Sequence, residues 1–480
     1  MLLAALDSSI VNTALPRMAA SLGGLSHLSW VVTGFMLSST ITAPLYGKFS
    51  DIYGRRVTFG VSIGGFLLGS VLCGVAQNMD QLIIFRALQG LGAGGLFVLA
   101  QAMIGDVVTP RQRPRYQGLF TGVFGLASVA GPLLGGIITQ TLSWRWIFYV
   151  NLPIGALALV MIWAGLRSLG PTVARGPAKP IDYAGALTLA GATTALLLLL
   201  AWGGVQFPWV SPGTLALSLL TLLFLALFLW CESRAADPLV RLGLFRNPVI
   251  SRGCAVGGMV LFSMLGALVF MPLYFQLVFG MSPAESGAMI LPQVAGMLFS
   301  SVIGGQIVAR IGRYRPFLLA GLGIETVCLI GLAFFAAYDA SPLWFLLLMG
   351  LFGLGMGMGM PNLINAIQNA VPHGELGAAT GVLVFTRSLG GAVGVAASAA
   401  IMAISLARSH AKIDIGLLHG QGIHALTHLS PAQHIAIAGA YRTALTGSFT
   451  LCGVVMVLGF WLVLGLPDVR LRTEIRTANG

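Results

Sequence analysis

The chain has 480 residues, of which 57% are hydrophobic and 8% charged, and its mean hydropathy is +0.90. This composition excludes an ordinary water-soluble globular protein. Apolar runs of about twenty residues alternate with short polar links, which predicts an all-α integral membrane protein. A barrel would alternate with period two instead. The net charge of +12 lies in the links and not along one face, so we expect the bilayer, and no nucleic acid, as a partner.

Taken in chain order, a window of about twenty residues predicts fourteen transmembrane helices. They lie near residues 1–16, 28–46, 57–76, 82–105, 116–139, 146–166, 183–203, 213–231, 253–275, 284–308, 316–337, 342–365, 378–405 and 441–466. The first is short and opens on Met1, so we expect missing first turns or a misassigned start. No basic region precedes it and Asp7 interrupts it, so a cleaved signal peptide is not expected.

The positions of the cations predict the orientation of these spans. An even number of spans places both termini on one side of the membrane. If that side is the cytoplasm, the inner links hold 19 of the 26 Lys and Arg residues, and the outer links hold five. Because inner loops are enriched in cations, both termini are expected to be cytoplasmic.

A loop pattern occurs twice in the chain. Gly47–Arg56 follows the second span, and Gly305–Arg315 follows the tenth, with Ala309 in the place of Asp51. Such repeats are typical of transporters built from two halves. The repeat predicts two pseudo-symmetric six-helix bundles and two inserted helices. The expected division is 1–166 for the first bundle, 167–252 for the linker with the inserted helices, 253–466 for the second bundle, and 467–480 for a cytoplasmic tail.

Five short sequence motifs follow one another along the first six predicted spans and their links. They are Leu6–Pro16, Gly47–Arg56, Arg86–Gly94, Gly125–Gly136 and Trp144–Pro153. Together they resemble the signature motifs of the major facilitator superfamily, and within it those of the fourteen-span drug:proton antiporters of the bacterial multidrug efflux type.

The resemblance implies a proton-driven exporter of the bacterial cytoplasmic (inner) membrane, working by alternating access. Its substrates would be drugs or other lipophilic, often cationic, small molecules, exchanged for protons. The proton gradient would take the place of a cofactor, and the chain would act as a monomer. Whether a periplasmic adaptor and an outer-membrane channel also take part is left open.

Asp7 lies on the first predicted span. Counted back from Pro16 at 1.5 Å per residue, it lies about 13 Å deep in a layer of ~30 Å. Ionisable residues within spans are costly and commonly functional, so Asp7 is a candidate proton-coupling or substrate-cation site. Arg86, at similar depth in the fourth span, would act as a movable charge beside it, and Asn12 of the first-span motif joins this candidate site. The alternatives are a structural hydrogen bond and a static ion pair.

Two further ionisable residues fall near mid-depth in the second half. Glu325 lies in the eleventh span and Arg387 in the thirteenth. Both join Asp7, Arg86 and Asn12 as candidate proton-coupling or substrate residues. They could pair, or Arg387 alone could serve the cavity of that half. The resemblance makes the eleventh span a peripheral helix, so a purely structural polar contact is the alternative for Glu325.

The fifth span carries the motif that the resemblance links to antiporters. Gly131, Gly135 and Gly136 would allow another helix to approach closely. Pro132 removes a backbone hydrogen bond and is expected to bend the helix. The resemblance implies a bend that shapes the cavity, and ordinary glycine-mediated packing is the alternative.

The first loop and the end of the fourth span hold charges of alternating sign. We expect them to form a latch that closes the inner face, since a small free-energy difference shifts a two-state equilibrium many-fold. The alternative is a topology signal, which would explain the arginines but not Asp51. The candidate gating residues are Gly47, Asp51, Gly54, Arg55, Arg56, Asp106 and Arg113. The second copy of the loop is expected to act mainly as a topology signal.

The outer link near 406–440 is rich in histidine. His424 and His428 are four residues apart and would share a helix face, which could suit a metal ion. No cysteine accompanies the histidines, and a polar loop explains them, so no metal site is expected.

Two rival functions are compatible with a membrane protein of this composition. One is a transporter of the same superfamily that moves a specific metabolite, nutrient or siderophore. The other is a membrane-embedded enzyme acting on lipid, but the chain has no HExxH motif, no paired His/Asp constellation within the spans and no GxSxG at a strand-to-helix turn, so no enzyme activity is expected. It also has no phosphate-binding P-loop, so no use of ATP is expected.

Overall fold

The computed structural model describes residues 1–23, 27–167, 182–203, 207–235, 237–338, 340–408 and 431–471. These parts of the chain are helical and contain no β-strand; one isolated bridge joins Gly203 and Phe207. The first nine helices are α1 Leu2–Leu22, α2 Leu28–Tyr53, α3 Arg55–Val75, α4 Met79–Val107, α5 Arg113–Thr141, α6 Trp146–Tyr149, α7 Asn151–Arg167, α8 Tyr183–Trp202 and α9 Pro212–Arg234.

The remaining helices begin after a short 3₁₀ turn, Leu242–Arg246. They are α10 Pro248–Leu268, α11 Met271–Phe279, α12 Pro283–Ala288, α13 Leu291–Ile311, α14 Arg315–Ala337, α15 Pro342–Ala370, α16 Leu376–Arg408 and α17 Pro431–Leu464. A second 3₁₀ turn, His373–Glu375, precedes α16. The pairs α6 and α7, α10 and α11, and α12 and α13 each occupy one predicted span.

Twelve helices within the described ranges are long and apolar enough to cross a membrane. The predicted all-α membrane architecture is therefore confirmed, and the chain is a multi-pass membrane protein. Helices α1 and α2 occupy the first two predicted positions but are not among the twelve. The count of fourteen spans is thus not confirmed by length and apolarity.

Some predicted bounds were wrong. Helix α1 continues to Leu22 and does not end at Pro16, and α17 begins at Pro431, ten residues before the predicted start. A hydropathy window detects only the apolar middle of a helix, so polar helical ends escape it. His410, His419, His424 and His428 lie outside the described residues.

Helices α1–α7 pack mainly on one another, and so do α10–α17. Inserted helices α8 and α9 pair with each other, and α8 also contacts α2. Near the N-terminus of α2, the ring of Trp30 contacts that of Trp202 at the end of α8 edge-on, with 5.6 Å between ring centroids. Only 11% of the apolar window of α9 is buried, so this helix presents most of its surface outward.

The loop repeat has a structural counterpart at one end of the bundle. Gly54 after α2 and Gly312 after α13 both have a positive φ, of 86° and 73°. A residue with a side chain rarely adopts this conformation, so each glycine ends its helix at the equivalent place. We call this end of the bundle the motif face.

The N-terminal and C-terminal helices meet at the motif face. Helix α2 packs against α16, and α5 packs against α13. A Cβ at Gly47 would overlap the carbonyl of Gly377, and a Cβ at Gly305 would overlap that of Pro114. The two copies of the loop motif thus perform the same packing task on opposite sides of the bundle.

Candidate functional site

Asp7 and Arg86 form a buried ion pair between α1 and α4. Arg86 Nη1 lies 2.7 Å from Asp7 Oδ2, and both residues are 1% exposed. Arg86 Nε also donates to the carbonyl of Val31 on α2 at 3.3 Å, and its guanidinium lies 4.1 Å from the ring centroid of Phe35. The expectation that Asp7 and Arg86 lie together is therefore met by the geometry.

The second carboxylate oxygen of Asp7 has amide partners. Gln89 Nε2 donates to Asp7 Oδ1 at 3.0 Å, and Asn151 Nδ2 donates to the same oxygen at 2.7 Å. Both amides also donate to Ser70 Oγ, at 2.8 and 3.2 Å. Gln89, Asn151 and Ser70 are fully buried. We call these five residues the Asp7 cluster; it joins α1, α3, α4 and α7.

A cation and two amide donors surround the carboxyl group of Asp7 and offset the cost of burying it. Burial closes it from water, so any exchange of a proton requires these helices to move. Removing one member of a buried ion pair costs about 3–5 kcal/mol. Sequence reasoning missed Gln89, Ser70 and Asn151 as partners, although Gln89 and Asn151 stand in the quoted motifs. Asn12 is exposed and does not join the cluster.

Helix α5 packs on α1 next to Asp7. A Cβ at Gly131 would overlap the side chain of Ser9, and one at Gly135 would lie 3.0 Å from the carbonyl of Ile10. A Cβ at Gly136 would have nothing within 4 Å, so the close approach expected there is wrong. Helix α5 continues without interruption through Pro132.

Asp51 connects α2 to the start of α16 at the motif face. Its carboxylate accepts hydrogen bonds from the backbone N–H groups of Gly377 at 3.2 Å and Ala378 at 2.9 Å. These amides belong to the first turn of α16, where N–H groups have no helical partner and the helix dipole favours an anion. Asp51 therefore bonds across the two groups of helices.

Arg55 holds Asp51 in place. Its Nη1 lies 2.9 Å from Asp51 Oδ1, and its Nε lies 2.5 Å from Asp106 Oδ2 on α4. It also donates to Ser50 Oγ. Arg55 is 3% exposed and Asp51 is 8% exposed, so water screens these pairs little. We call Asp51, Arg55 and Asp106 the latch.

Arg56 and Arg113 do not belong to the latch, contrary to expectation. The guanidinium of Arg56 lies over the ring of Trp163 on α7, 3.8 Å from its centroid. Arg113 donates to the carbonyls of Val108 at 3.1 Å and Gly105 at 2.6 Å, so it caps the end of α4. Adjacent residues on a helix point about 100° apart, which separates Arg56 from Arg55.

A second ionic chain crosses the motif face through the segment between α9 and α10. Lys48 Nζ on α2 lies 2.8 Å from Asp237 Oδ1, and Arg241 lies 3.2 Å from the same oxygen. Arg241 also pairs with Glu375, just before α16. Sequence reasoning missed this chain, although Asp237 is the acidic residue between the cations of that link.

Lys48 and Arg241 determine the charge state of Asp237. Burial would raise the pKa of this carboxyl, but the hydrogen bonds and charges of the two cations outweigh it, so the pKa of Asp237 lies below its usual value of 3.8. Asp237 is therefore an anion throughout the physiological range. The segment after the inserted helices is tied by charge to both groups of helices.

The second copy of the motif uses the opposite polarity. Arg111, before α5, donates to the carbonyls of Ala309 at 3.0 Å and Arg310 at 2.7 Å, at the end of α13. Where Asp51 accepts from a helix N-terminus, Arg111 donates to a helix C-terminus, which the helix dipole also favours. The expectation that this copy is mainly a topology signal overlooked a cross-bundle contact.

Glu325 and Arg387 are not partners. Glu325 on α14 is fully buried against α15, where its Oε1 would lie 3.2 Å from a Cβ at Gly359. Arg387 on α16 lies against α10, with its Cγ 3.2 Å from a Cβ at Gly257. No ion pair joins them within the described ranges, and neither oxygen of Glu325 has a hydrogen-bond partner there.

The described part of the chain contains no group of three or more His, Cys, Asp or Glu side chains arranged to hold a metal ion. The histidine-rich stretch that prompted the metal hypothesis lies mostly outside that part.

Comparison with known proteins places the fold and the motifs in one family. The family model described as Major Facilitator Superfamily matches residues 1–395. Multidrug transporter protein MdtP of Bacillus subtilis is 39% identical over 402 residues, covering 84% of this chain and 73% of that protein. Multidrug resistance protein 3 of the same species is 31% identical over 487 residues, covering 98% and 94%. An uncharacterised MFS-type transporter of Mycobacterium tuberculosis is 39% identical over 476 residues, covering 98% and 68%.

Solved structures share the fold at low sequence identity. The human organic anion transporter MFSD10 superposes with a TM-score of 0.63 at 17% identity, over 96% of this chain and 97% of that chain. The proton:xylose symporter XylE superposes with a TM-score of 0.65 at 14% identity, over 98% and 94%. The expectation of a transporter and not an enzyme is confirmed by the family. The chain belongs to the major facilitator superfamily of membrane transporters.

Proposed function

We propose that this transporter exports drugs or other lipophilic small molecules, often cationic, in exchange for protons. The names of relatives at 31–39% identity support multidrug export. The observation that carries proton coupling is the buried Asp7–Arg86 pair. Ionisable residues within a membrane bundle are costly to bury, so they commonly have a function there. The source of energy is the proton gradient.

We further propose that α1 and α2 also span the membrane, which gives fourteen spans. Helix α2 has 26 residues, or about 39 Å at 1.5 Å per residue, and the hydrocarbon layer is ~30 Å thick. It packs along α4, since Gly90 and Gly94 leave room for Phe35 and Ser39. Helix α1 packs likewise along α5. Both therefore run beside helices that meet the length and apolarity criteria.

We assign the motif face to the cytoplasm of a bacterial inner membrane, with both termini there, on the distribution of cations. The helices α1–α7 and α10–α17 are the two rocking halves. The conformer described here is then closed to the cytoplasm by the latch, the Lys48–Asp237 chain and Arg111. Opening this face requires those contacts to separate, and it would admit substrate from the cell.

In the proposed cycle, protonation of Asp7 neutralises the carboxylate and weakens its attraction to Arg86. The guanidinium then keeps only the acceptors that it already has besides Asp7, which are Gln89 Oε1 at 2.6 Å and the carbonyl of Val31. Loss of the Asp7–Arg86 attraction loosens α1 from α4 and so biases the two halves between their arrangements. Loss of the proton restores the ion pair.

The test uses proteoliposomes with an acidic interior, a membrane potential clamped at zero and ethidium as the probe. One pH unit is worth about 1.4 kcal/mol per proton, or about tenfold in accumulation. We expect Asp7→Asn to lower the ethidium accumulation ratio at least tenfold while ethidium exchange persists. Asp80→Asn, which removes an exposed acid from the first turn of α4, is the matched control.

Because Asp7→Asn leaves Arg86 buried without its counter-charge, the pair is also neutralised together as Asp7→Asn/Arg86→Gln. A folded double variant that still accumulates ethidium like the parent would refute the coupling role. Full activity of Arg86→Lys would separately show that a specific guanidinium geometry is not needed.

A further inference from the structure

Glu325 is a buried acid that the proposed cycle does not use. It lies in the middle of α14 and is fully buried. Neither carboxyl oxygen has a hydrogen-bond partner among the described residues. It differs in this from Asp7, whose carboxylate has a cation and two amide donors.

Helix α15 makes the space for this carboxyl with alternate glycines. Gly353 and Gly357 face α13, where a Cβ would overlap the carbonyls of Gln293 and Met297. Gly355 and Gly359 face α14: a Cβ at Gly355 would lie 2.8 Å from Glu325 Cγ, and one at Gly359 would lie 3.2 Å from Glu325 Oε1. The carboxyl therefore lies directly against the bare backbone of α15.

The charged groups of the neighbouring helices are remote. Helix α15 carries no charged residue, and α14 carries, besides Glu325, only Arg315 at its motif-face end. Helix α17 also packs on α14 and runs antiparallel to it, since the carbonyl of Leu464 accepts from Arg315 and Gly453 faces Ile330. The positions of His434 and Arg442 on α17 therefore lie toward the end of α14 that is opposite Arg315. The titratable neighbour within the described ranges is the thiol of Cys328, which is also buried and neutral.

A carboxylate in such surroundings would have neither a counter-charge nor a donor, whereas a carboxylic acid avoids the charge. A neutral acid without a partner still loses its hydrogen bonds to water, so an apolar side chain of equal size would be more favourable here. Packing of α14 on α15 thus gives no reason for an acid at this position.

We propose that Glu325 is a second proton-binding site, located in the C-terminal half, which carries its proton in this conformation and releases it when α15 moves away from α14. On release the O–H bond breaks, the proton passes to water entering between the helices, and the carboxylate remains. Helix α15 contacts α5 of the other half, whereas α14 packs on α15 and α17 of its own half, so rocking acts on α15 directly and shifts it relative to α14. The inference rests on the proposed proton-driven export.

The two acids then differ in this conformation: Asp7 is paired with Arg86, whereas Glu325 carries its own proton. Two protons per cycle would allow a steeper gradient than one. Glu325→Gln replaces the acid by a neutral group of the same shape that cannot release a proton, so the fold is retained while one proton is lost from the cycle.

The experiment measures ethidium accumulation at equilibrium in proteoliposomes under a one-unit pH gradient with the potential clamped at zero. Glu325→Gln is expected to lower the accumulation ratio about tenfold, or about 1.4 kcal/mol, and to leave ethidium exchange intact. Thr326→Val is the matched control, since Thr326 is a buried polar neighbour on α14 whose hydroxyl donates within its own helix, to the carbonyl of Leu322 at 2.7 Å.

A second readout is independent of transport. The purified parent protein at neutral pH is expected to show the infrared C=O band of a protonated carboxyl group that Glu325→Gln removes. Absence of that band, or an unchanged accumulation ratio while Asp7→Asn lowers it, would overturn the inference alone. If the parent accumulates no ethidium under the pH gradient, the proposed function and the inference both fail.

Discussion

Removing the charge of Asp51 should open the motif face. Asp51→Asn preserves the size of the side chain but removes the anion that accepts from the first turn of α16 and pairs with Arg55. Hydrogen bonds to charged groups contribute about 1.5–3 kcal/mol each, and a helix N-terminus up to ~2 kcal/mol in partly buried geometry. Asparagine retains part of this interaction.

A net loss of about 2 kcal/mol from the closed arrangement would lower the closed-to-open ratio roughly 30-fold. Spin labels at Tyr53→Cys on α2 and Ile311→Cys on α13 would measure this shift as a longer distance between the halves. Both positions are more than half exposed, at 54% and 57%, so labels would not disturb packing. Cys231, which is only partly buried, would be replaced by alanine.

Asp80→Asn serves again as the control for the loss of one negative charge, because Asp80 lies at the opposite end of the bundle. A distance distribution in Asp51→Asn that matches both the parent and this control would refute the latch. The charges at this loop would then act only in topology.

Two further predictions concern packing and pH. Gly131→Ala should abolish ethidium transport without preventing insertion, since its Cβ would overlap Ser9 beside Asp7, whereas Gly136→Ala should transport normally; equal activity of the two would contradict this role of α5. Because the pKa of Asp237 is lowered in the folded state, its contribution to stability is present above pH 3.8 and is lost as the pH falls below that value. The melting temperature of Asp237→Asn should therefore lie below that of the parent from pH 5 to pH 8 and approach it only under more acidic conditions; a difference that vanished near pH 6 would refute the assignment.

Hydropathy located the helices of this chain well, since apolar composition is a local property of the sequence. All fourteen predicted positions carry helix, although the ends of α1 and α17 were misplaced because their polar turns leave the apolar window. The loop repeat was also readable, because Gly54 and Gly312 both end equivalent helices with a positive φ.

Side-chain partners were predicted less well. Asp7 and Arg86 could be brought together from their depths alone, but Asn151 could not, since it lies 144 residues beyond Asp7 and reaches it only when α7 packs beside α1. Arg55 and Arg56 are adjacent in sequence, yet they point to different neighbours. Depth follows from counting residues, whereas the direction of a side chain depends on which helix packs against each face.

The sequence by itself determined the membrane class, the helix positions, the repeated loop motif and the family, because these depend on composition and on motifs within single helices. The tertiary structure alone decided which acids have partners. Asp7 has Arg86 and two buried amides as partners, Asp51 has Arg55 and a helix N-terminus, and Glu325 has no hydrogen-bond partner among the described residues. These differences arise because burial and hydrogen bonding depend on the neighbours that packing supplies, and the chain brings those neighbours from distant positions.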